Sequence, residues 1–173
     1  MRTGIRLPPP RVLDILGLLV RLGLAAVWLV SGAIKVADPG QFYTAVQAYQ
    51  LFGPGVASLI SAAVPFLELG LGLLVLLGLG TRLVAVVSAL LLLAYIAGVA
   101  QSWARGLTID CGCFGGGGQV AAGQTHYGQE ILRDTGFLLM AGWLVLRPKT
   151  PVSLDRWLTT GRQLDGKREH EHP

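Results

Sequence analysis

The chain contains two cysteines, Cys111 and Cys113, and they stand on either side of Gly112. They lie in the segment Ile109-Asp110-Cys111-Gly112-Cys113-Phe114, which runs on into the glycines Gly115 to Gly118. A disulfide between them closes a very small ring, while disulfide geometry favours Cα atoms about 5.5–6 Å apart. Meeting that across one residue strains the backbone, and Gly112 is the residue type that tolerates it. Strained, exposed disulfides have more oxidising potentials than structural bridges, which lie below about −300 mV. The pair therefore reads as poised to exchange, and the glycine run as room for another protein to reach a sulfur. Two other readings stay open. Cys-x-Cys binds soft metals, with His126 as a third ligand; or the sulfurs form a structural bridge or are inert thiols.

A nearby cation lowers a thiol pKa and favours the thiolate. Lys35, Arg105 and Arg133 are the basic residues that flank the loops on the cysteine side and would tune the pair. Two further charges sit inside apolar stretches, Arg21 and Glu68. Counted from one membrane face their depths differ by roughly 4–5 Å at 1.5 Å per residue. Ionisable groups at depth face the bundle interior and pair, so an Arg21–Glu68 ion pair is the economical expectation. Its role is structural, or Glu68 handles protons linked to electron transfer.

Those residues must be positioned by long apolar helices. The 173-residue chain is 52% hydrophobic and only 14% charged, with a mean hydropathy of +0.57. A spanning helix needs roughly 20 apolar residues. Four stretches qualify, at about 12–36, 56–79, 83–101 and 130–146. The expectation is an all-α integral membrane protein with a four-helix transmembrane domain over 1–147 and a polar basic tail over 148–173. A β-barrel would alternate apolar and polar residues, and Ala89-Leu90-Leu91-Leu92-Leu93-Ala94 does not. The first apolar run is too long for a signal peptide and contains Arg21 and Trp28, so it reads as a retained helix. Pro65 should weaken the second helix one turn before Glu68.

Lys and Arg collect on the cytoplasmic side of short loops and chain ends. Arg2, Arg6 and Arg11 precede the first helix, Arg82 sits in the turn between the second and third, and six basic residues follow the fourth. Both termini are therefore expected in the cytoplasm, and loops 37–55 and 102–129 outside, where disulfides form. In the first of these loops Phe42, Val46 and Tyr49 fall at helical spacing after Asp38-Pro39-Gly40, a short amphipathic interfacial helix. The tail holds a candidate surface helix at 152–158 and ends His170-Glu171-His172, which reads as solvated. The net charge of +4 follows from the cytoplasmic bias, and no basic face interleaved with aromatics points to nucleic acid.

Between about Arg21 and Arg147 the chain resembles the MauE family, within the DoxX-like group of four-helix membrane proteins. The resemblance rests on Asp110-Cys111-Gly112-Cys113-Phe114-Gly115. It is supported by Gly32-Ala33-Ile34-Lys35-Val36-Ala37-Asp38-Pro39, by Pro65-Phe66-Leu67-Glu68-Leu69-Gly70, and by Arg133-Asp134. It implies a part in methylamine utilisation, in the maturation of a disulfide-rich dehydrogenase subunit, or a role as membrane partner of a thioredoxin-like protein. The architecture is also similar to DsbB and the vitamin K epoxide reductases, which pass electrons from thiols to quinone with two cysteine pairs. With one pair here, a route beyond Cys111–Cys113 needs a membrane quinone directly or a second protein.

The reading is a multi-pass cell-membrane thiol–disulfide oxidoreductase component that exchanges electrons through Cys111 and Cys113 with an extracytoplasmic thioredoxin-fold partner. The alternatives are a non-enzymatic assembly or scaffold subunit, which needs neither cysteine, and a small transporter, which would depend most on Glu68. The orientation has a direct test. A membrane-impermeant thiol reagent, applied to reduced intact cells, is expected to label the cysteine loop. Labelling only after the membrane is opened would place that loop inside.

Overall fold

The computed structural model describes residues 10–121 and 123–148. Arg2, Arg6 and the tail from 149 onward, with its candidate helix at 152–158 and its His-Glu-His ending, lie outside the described residues. Five α-helices follow in chain order: α1 Pro10–Ala37, α2 Pro39–Ala48, α3 Pro54–Leu77, α4 Thr81–Ala104 and α5 Tyr127–Leu146. Two-residue strands β1 (Ile109–Asp110) and β2 (Gly118–Gln119) pair antiparallel within the loop between α4 and α5. The sequence reading did not anticipate that ladder. The four apolar stretches and the short helix at Phe42–Tyr49 all form, with ends within a few residues of expectation.

Local chemistry sets the breaks. Pro39 cannot continue α1, because it lacks an amide proton and its ring clashes with the preceding turn. Asp38 therefore caps α2, its Oδ1 accepting from the Gln41 amide at 2.9 Å, with Pro39 in the first turn. Gly78 ends α3 with φ +67, and the Gly78 and Leu79 amides donate to the carbonyls of Val75 and Leu74. This left-handed cap is one that glycine adopts without a Cβ penalty. Pro65 does not interrupt α3, which runs through it.

α1 packs chiefly on α3, and α4 on α5, while α3 and α4 touch sparsely despite the short turn that joins them. The main core lies between these pairs, around Leu24, Trp28, Leu71, Val75, Leu92 and Leu144. Trp28 Nε1 donates to Ser88 Oγ at 3.0 Å, so the one polar atom of that ring is satisfied within the apolar core. Large apolar side chains cover the exterior as well: Leu19, Leu59, Phe66, Leu83 and Leu90 are all more than 60% exposed. Water penalises such a surface and lipid does not. α1 from Val12, α3 and α4 are long and apolar enough to cross a membrane, and the chain is a multi-pass membrane protein. α5 misses that standard because Glu130, Arg133 and Asp134 occupy its first turns.

Two glycines fix how α1 and α3 are aligned. A Cβ on Gly32 would stand 2.9 Å from the Pro65 carbonyl oxygen and 2.9 Å from Leu69 Cγ. A Cβ on Gly72 would stand 2.8 Å from Leu29 Cγ. These contacts set residue 32 opposite 65–69 and residue 29 opposite 72. On that antiparallel register Arg21 lies about twelve residues, roughly 18 Å, from the level of Glu68. The expected Arg21–Glu68 ion pair does not form. Glu68 instead takes Lys35, whose Nζ is 2.5 Å from Oε1, with the two side chains 2% and 0% exposed. The depth count failed because it set both helices flush at one membrane face. α1 begins at Pro10 and overhangs the end of α3.

Stranding one partner of a buried pair costs about 3–5 kcal/mol in well-studied soluble proteins. Lys35→Met and Glu68→Gln are each expected to destabilise the bundle on that scale, and the double variant to lose less than the sum. Arg21→Met and Glu68→Gln should add, as distant sites do. Unfolding of the purified variants in detergent measures both cycles; additivity between Lys35 and Glu68 would break this account.

Candidate functional site

The Cys111 and Cys113 side chains are paired sulfur to sulfur, with their Cα atoms 5.5 Å apart. Gly112 between them has φ +70, and a Cβ there would lie 2.8 Å from Ala45 Cβ on α2. Gly117 (φ +95) returns against the same place, where a Cβ would meet Ala45 Cβ at 2.6 Å and Gly112 Cα at 2.7 Å. The glycine run is thus not open room for an incoming protein. It is a tight fold of two loop limbs pressed onto α2, which only residues without a side chain can make. Gln41 Nε2 on α2 donates to the Gly117 carbonyl at 2.6 Å, and Asp110 Oδ2 accepts from the Gly117 amide at 3.3 Å. As a result the pair is not exposed: Cys111 and Cys113 are only 5% and 7% accessible.

Three backbone groups of the pair are held from elsewhere in the fold, while the Cys113 amide donates to Cys111 Sγ at 3.2 Å within the pair. The Cys111 amide donates to Glu130 Oε1 of α5 at 3.3 Å, and the Cys111 carbonyl accepts from Tyr49 Oη at 3.1 Å. Burial, reinforced by the carboxylates of Glu130, Asp134 and Asp110, pushes the Tyr49 phenol well above its ordinary pKa, so it stays a donor. The Cys113 carbonyl accepts from Ser31 Oγ of α1 at 2.8 Å. Arg133 Nη2 lies 3.7 Å from Cys111 Sγ. Its guanidinium is also 4.8 Å from the Phe114 ring centre and bonded through Nε to Asp134 Oδ1 at 3.0 Å.

Below this layer lies the buried charge cluster. Lys35 Nζ donates to Ser31 Oγ at 3.0 Å, one helical turn earlier on α1, and Tyr95 Oη of α4 donates to Glu68 Oε1 at 2.6 Å. Ser31 Oγ lies 3.2 Å from both Glu68 oxygens. One hydroxyl therefore touches both the Glu68 carboxylate and the Cys113 carbonyl. Of the expected tuning cations, Arg133 reaches a sulfur and Lys35 reaches the pair through Ser31. Arg105 turns elsewhere, donating to the Tyr49 carbonyl, Gln101 and Gln50. His126 is the exposed residue that precedes α5.

Ser31, Tyr95 and Glu130 were not singled out from the sequence, and Tyr49 was read only as part of the apolar face of the short helix. Ser31 carried a signal, since it stands four residues before Lys35 and so on the same helix face. Tyr95 carried a weaker one, a hydroxyl within an apolar run. Beside these groups, between α3 and α4, lies a cavity of about 640 Å³ with almost wholly apolar walls. Cys111, Cys113, Lys35 and Tyr95 all face it.

The arrangement can hold a disulfide in a water-poor site and, once that bond is reduced, favour thiolate at Cys111 through the adjacent guanidinium. No curated protein and no solved structure matches the chain. The family model described as "Methylamine utilisation protein MauE" matches residues 13–147, which covers the helices and the cysteine loop. The chain therefore belongs to the MauE family of multi-pass membrane proteins involved in methylamine utilisation.

Proposed function

We propose that the protein is a membrane thiol–disulfide redox component whose Cys111–Cys113 pair exchanges with a thioredoxin-fold partner outside the cytoplasm. The single observation that carries this reading is the guanidinium of Arg133 at 3.7 Å from Cys111 Sγ. A structural bridge needs no cation at its sulfur, whereas a thiolate leaving or attacking group is stabilised by one. In the proposed cycle a partner thiolate attacks one sulfur of the pair and the other departs as thiolate. The second partner thiol then resolves the mixed disulfide, leaving the partner oxidised and this pair as a dithiol. Maturation of disulfide-containing proteins, such as a methylamine dehydrogenase subunit, is the setting the family suggests.

The reading takes α5 as a fourth crossing. Leu132, Leu139 and Leu146 repeat every seven residues along it and are 71–84% exposed, a stripe suited to lipid. The charged first turns then lie at the membrane surface beside the cysteines. Both termini are in the cytoplasm on this view, in line with the Lys and Arg distribution. Because the native sulfurs are buried, the better reporter of side is Gln124→Cys, an exposed loop position, in a cysteine-free background.

Burial of both sulfurs also favours a second reading, a non-enzymatic assembly subunit with a structural bridge. A partner reaches the pair only if the loop lifts from α2. Trapping decides between the two. With Cys113→Ser and Cys111→Ser expressed singly in cells, at least one is expected to accumulate a mixed disulfide identifiable by mass spectrometry. Arg133→Gln should raise the pKa of the reduced Cys111 thiol and slow its alkylation near neutral pH, while Arg133→Lys restores much of the rate. If neither single-cysteine variant traps a partner and the cysteine-free protein supports normal function, the assembly reading holds.

A further inference from the structure

The cavity beside the cysteines has a shape and chemistry that thiol exchange with a protein does not use. It lies between the first half of α3 (Ile60, Val64) and α4 from Leu91 to Gln101, helices that touch sparsely, and Phe42 and Phe52 also line it. Its volume of about 640 Å³ is in the range of small-molecule sites. Apolar walls with a few convergent polar groups are the pattern of such sites. Here those groups are Lys35, Tyr95 and both cysteines, with Lys35 linked through Ser31 to the Cys113 carbonyl. Lys35 Nζ is 3.4 Å from Tyr95 Oη and 4.9 Å from the Phe42 ring centre, so a cation, a phenol and an aromatic face share one wall.

From this juxtaposition we infer that the cavity binds a lipid-soluble quinone, its ring beside Lys35 and the cysteine pair and its tail leaving between α3 and α4. The inference rests on the exchange reading above and extends it to the second substrate. A lipid acyl chain would fill the apolar walls but has no acceptor to offer the Lys35 N–H that makes only a 3.4 Å contact to Tyr95 Oη, and no use for a dithiol. A quinone has a flat apolar ring and two carbonyl oxygens that accept hydrogen bonds. The chemistry balances. When the reduced pair closes, the Cys111 and Cys113 thiols together lose two protons and two electrons and the S–S bond forms. The quinone gains both, and its carbonyl oxygens become the hydroxyls of the quinol. No further oxidant is required, and the disulfide is regenerated for the next partner.

The test uses the full-length protein in lipid nanodiscs, reduced chemically and freed of reductant, with decylubiquinone and a short-chain menaquinone as probes. At least one is expected to be reduced to quinol, one molecule per pair, as the free thiols disappear. Ala94→Trp and Ala97→Phe, which fill the cavity from α4, should each slow that reaction about tenfold or more, the effect of roughly 1.4 kcal/mol of lost binding. Leu132→Trp, on the exposed stripe of α5, should not. Binding is read separately from chemistry in Cys111→Ser/Cys113→Ser protein, by quenching of intrinsic tryptophan fluorescence. Dodecanol serves as a tail without a quinone head. Quinone binding that the cavity variants weaken, together with stoichiometric thiol oxidation, supports the inference. Equal competition by dodecanol, or thiols that stay reduced under excess of both quinones, overturns it. In that case partner trapping by single-cysteine variants can still succeed, and the exchange reading then stands with a different electron acceptor. If trapping fails while quinone binds, the exchange reading falls and the site remains.

Discussion

A carboxylate among apolar helices has to find a cation and hydrogen-bond donors, because the cost of burying it alone is far larger than any packing gain around it. Glu68 is 0% exposed and meets that constraint with donors from two other helices, Lys35 and Ser31 of α1 and Tyr95 of α4. This cluster ties together helices that otherwise touch unevenly. α3 and α4 meet sparsely, and the bond from Tyr95 to Glu68 crosses the gap between them. The cavity lies beside that bond, with Tyr95 in its wall. The same cluster reaches the loop, since the single Ser31 hydroxyl proton is shared between the Glu68 carboxylate at 3.2 Å and the Cys113 carbonyl at 2.8 Å. The placement of the disulfide thus depends on how the charge was neutralised deeper in the bundle.

Close backbone approach is the second constraint, and glycine supplies it twice. Gly32 and Gly72 let α1 and α3 interlock, which sets the register that brings Lys35 rather than Arg21 to Glu68. Gly112 and Gly117 let the cysteine loop lie on Ala45 of α2. In the first case glycine is used for space within a helix. In the second it is used for both space and positive φ, which larger residues rarely adopt. Both uses serve one end of the molecule, where α2, the loop and the start of α5 converge on the sulfurs.

That convergence brings two kinds of surroundings to the cysteine pair. α5 contributes charges, with Arg133 near Cys111 Sγ and Glu130 on the Cys111 amide. The apolar cavity also borders the pair, with Lys35 and Tyr95 in its wall. On the proposed reading, these surroundings serve a carrier between a polar thiol donor and a lipid-soluble acceptor.

The apolar helices were legible in the sequence, because hydropathy and length are properties of each segment alone and lipid imposes them locally. The short helix after Asp38-Pro39 was legible for the same reason, from a cap, a proline and a period of apolar residues. The cysteine pair and the value of a glycine between them also came directly from spacing. The partner of Glu68 did not. It depends on how far one helix slides along another, and a shift of a few residues exchanges one cation for another with no change in either helix's composition. The burial of the sulfurs did not either. A run of glycines reads equally as open loop or as tight fold, and only the surface of α2 against it decides. Interhelical register and loop packing are set by contacts between distant residues, so the tertiary structure alone determined which groups surround the disulfide and left a cavity at its side.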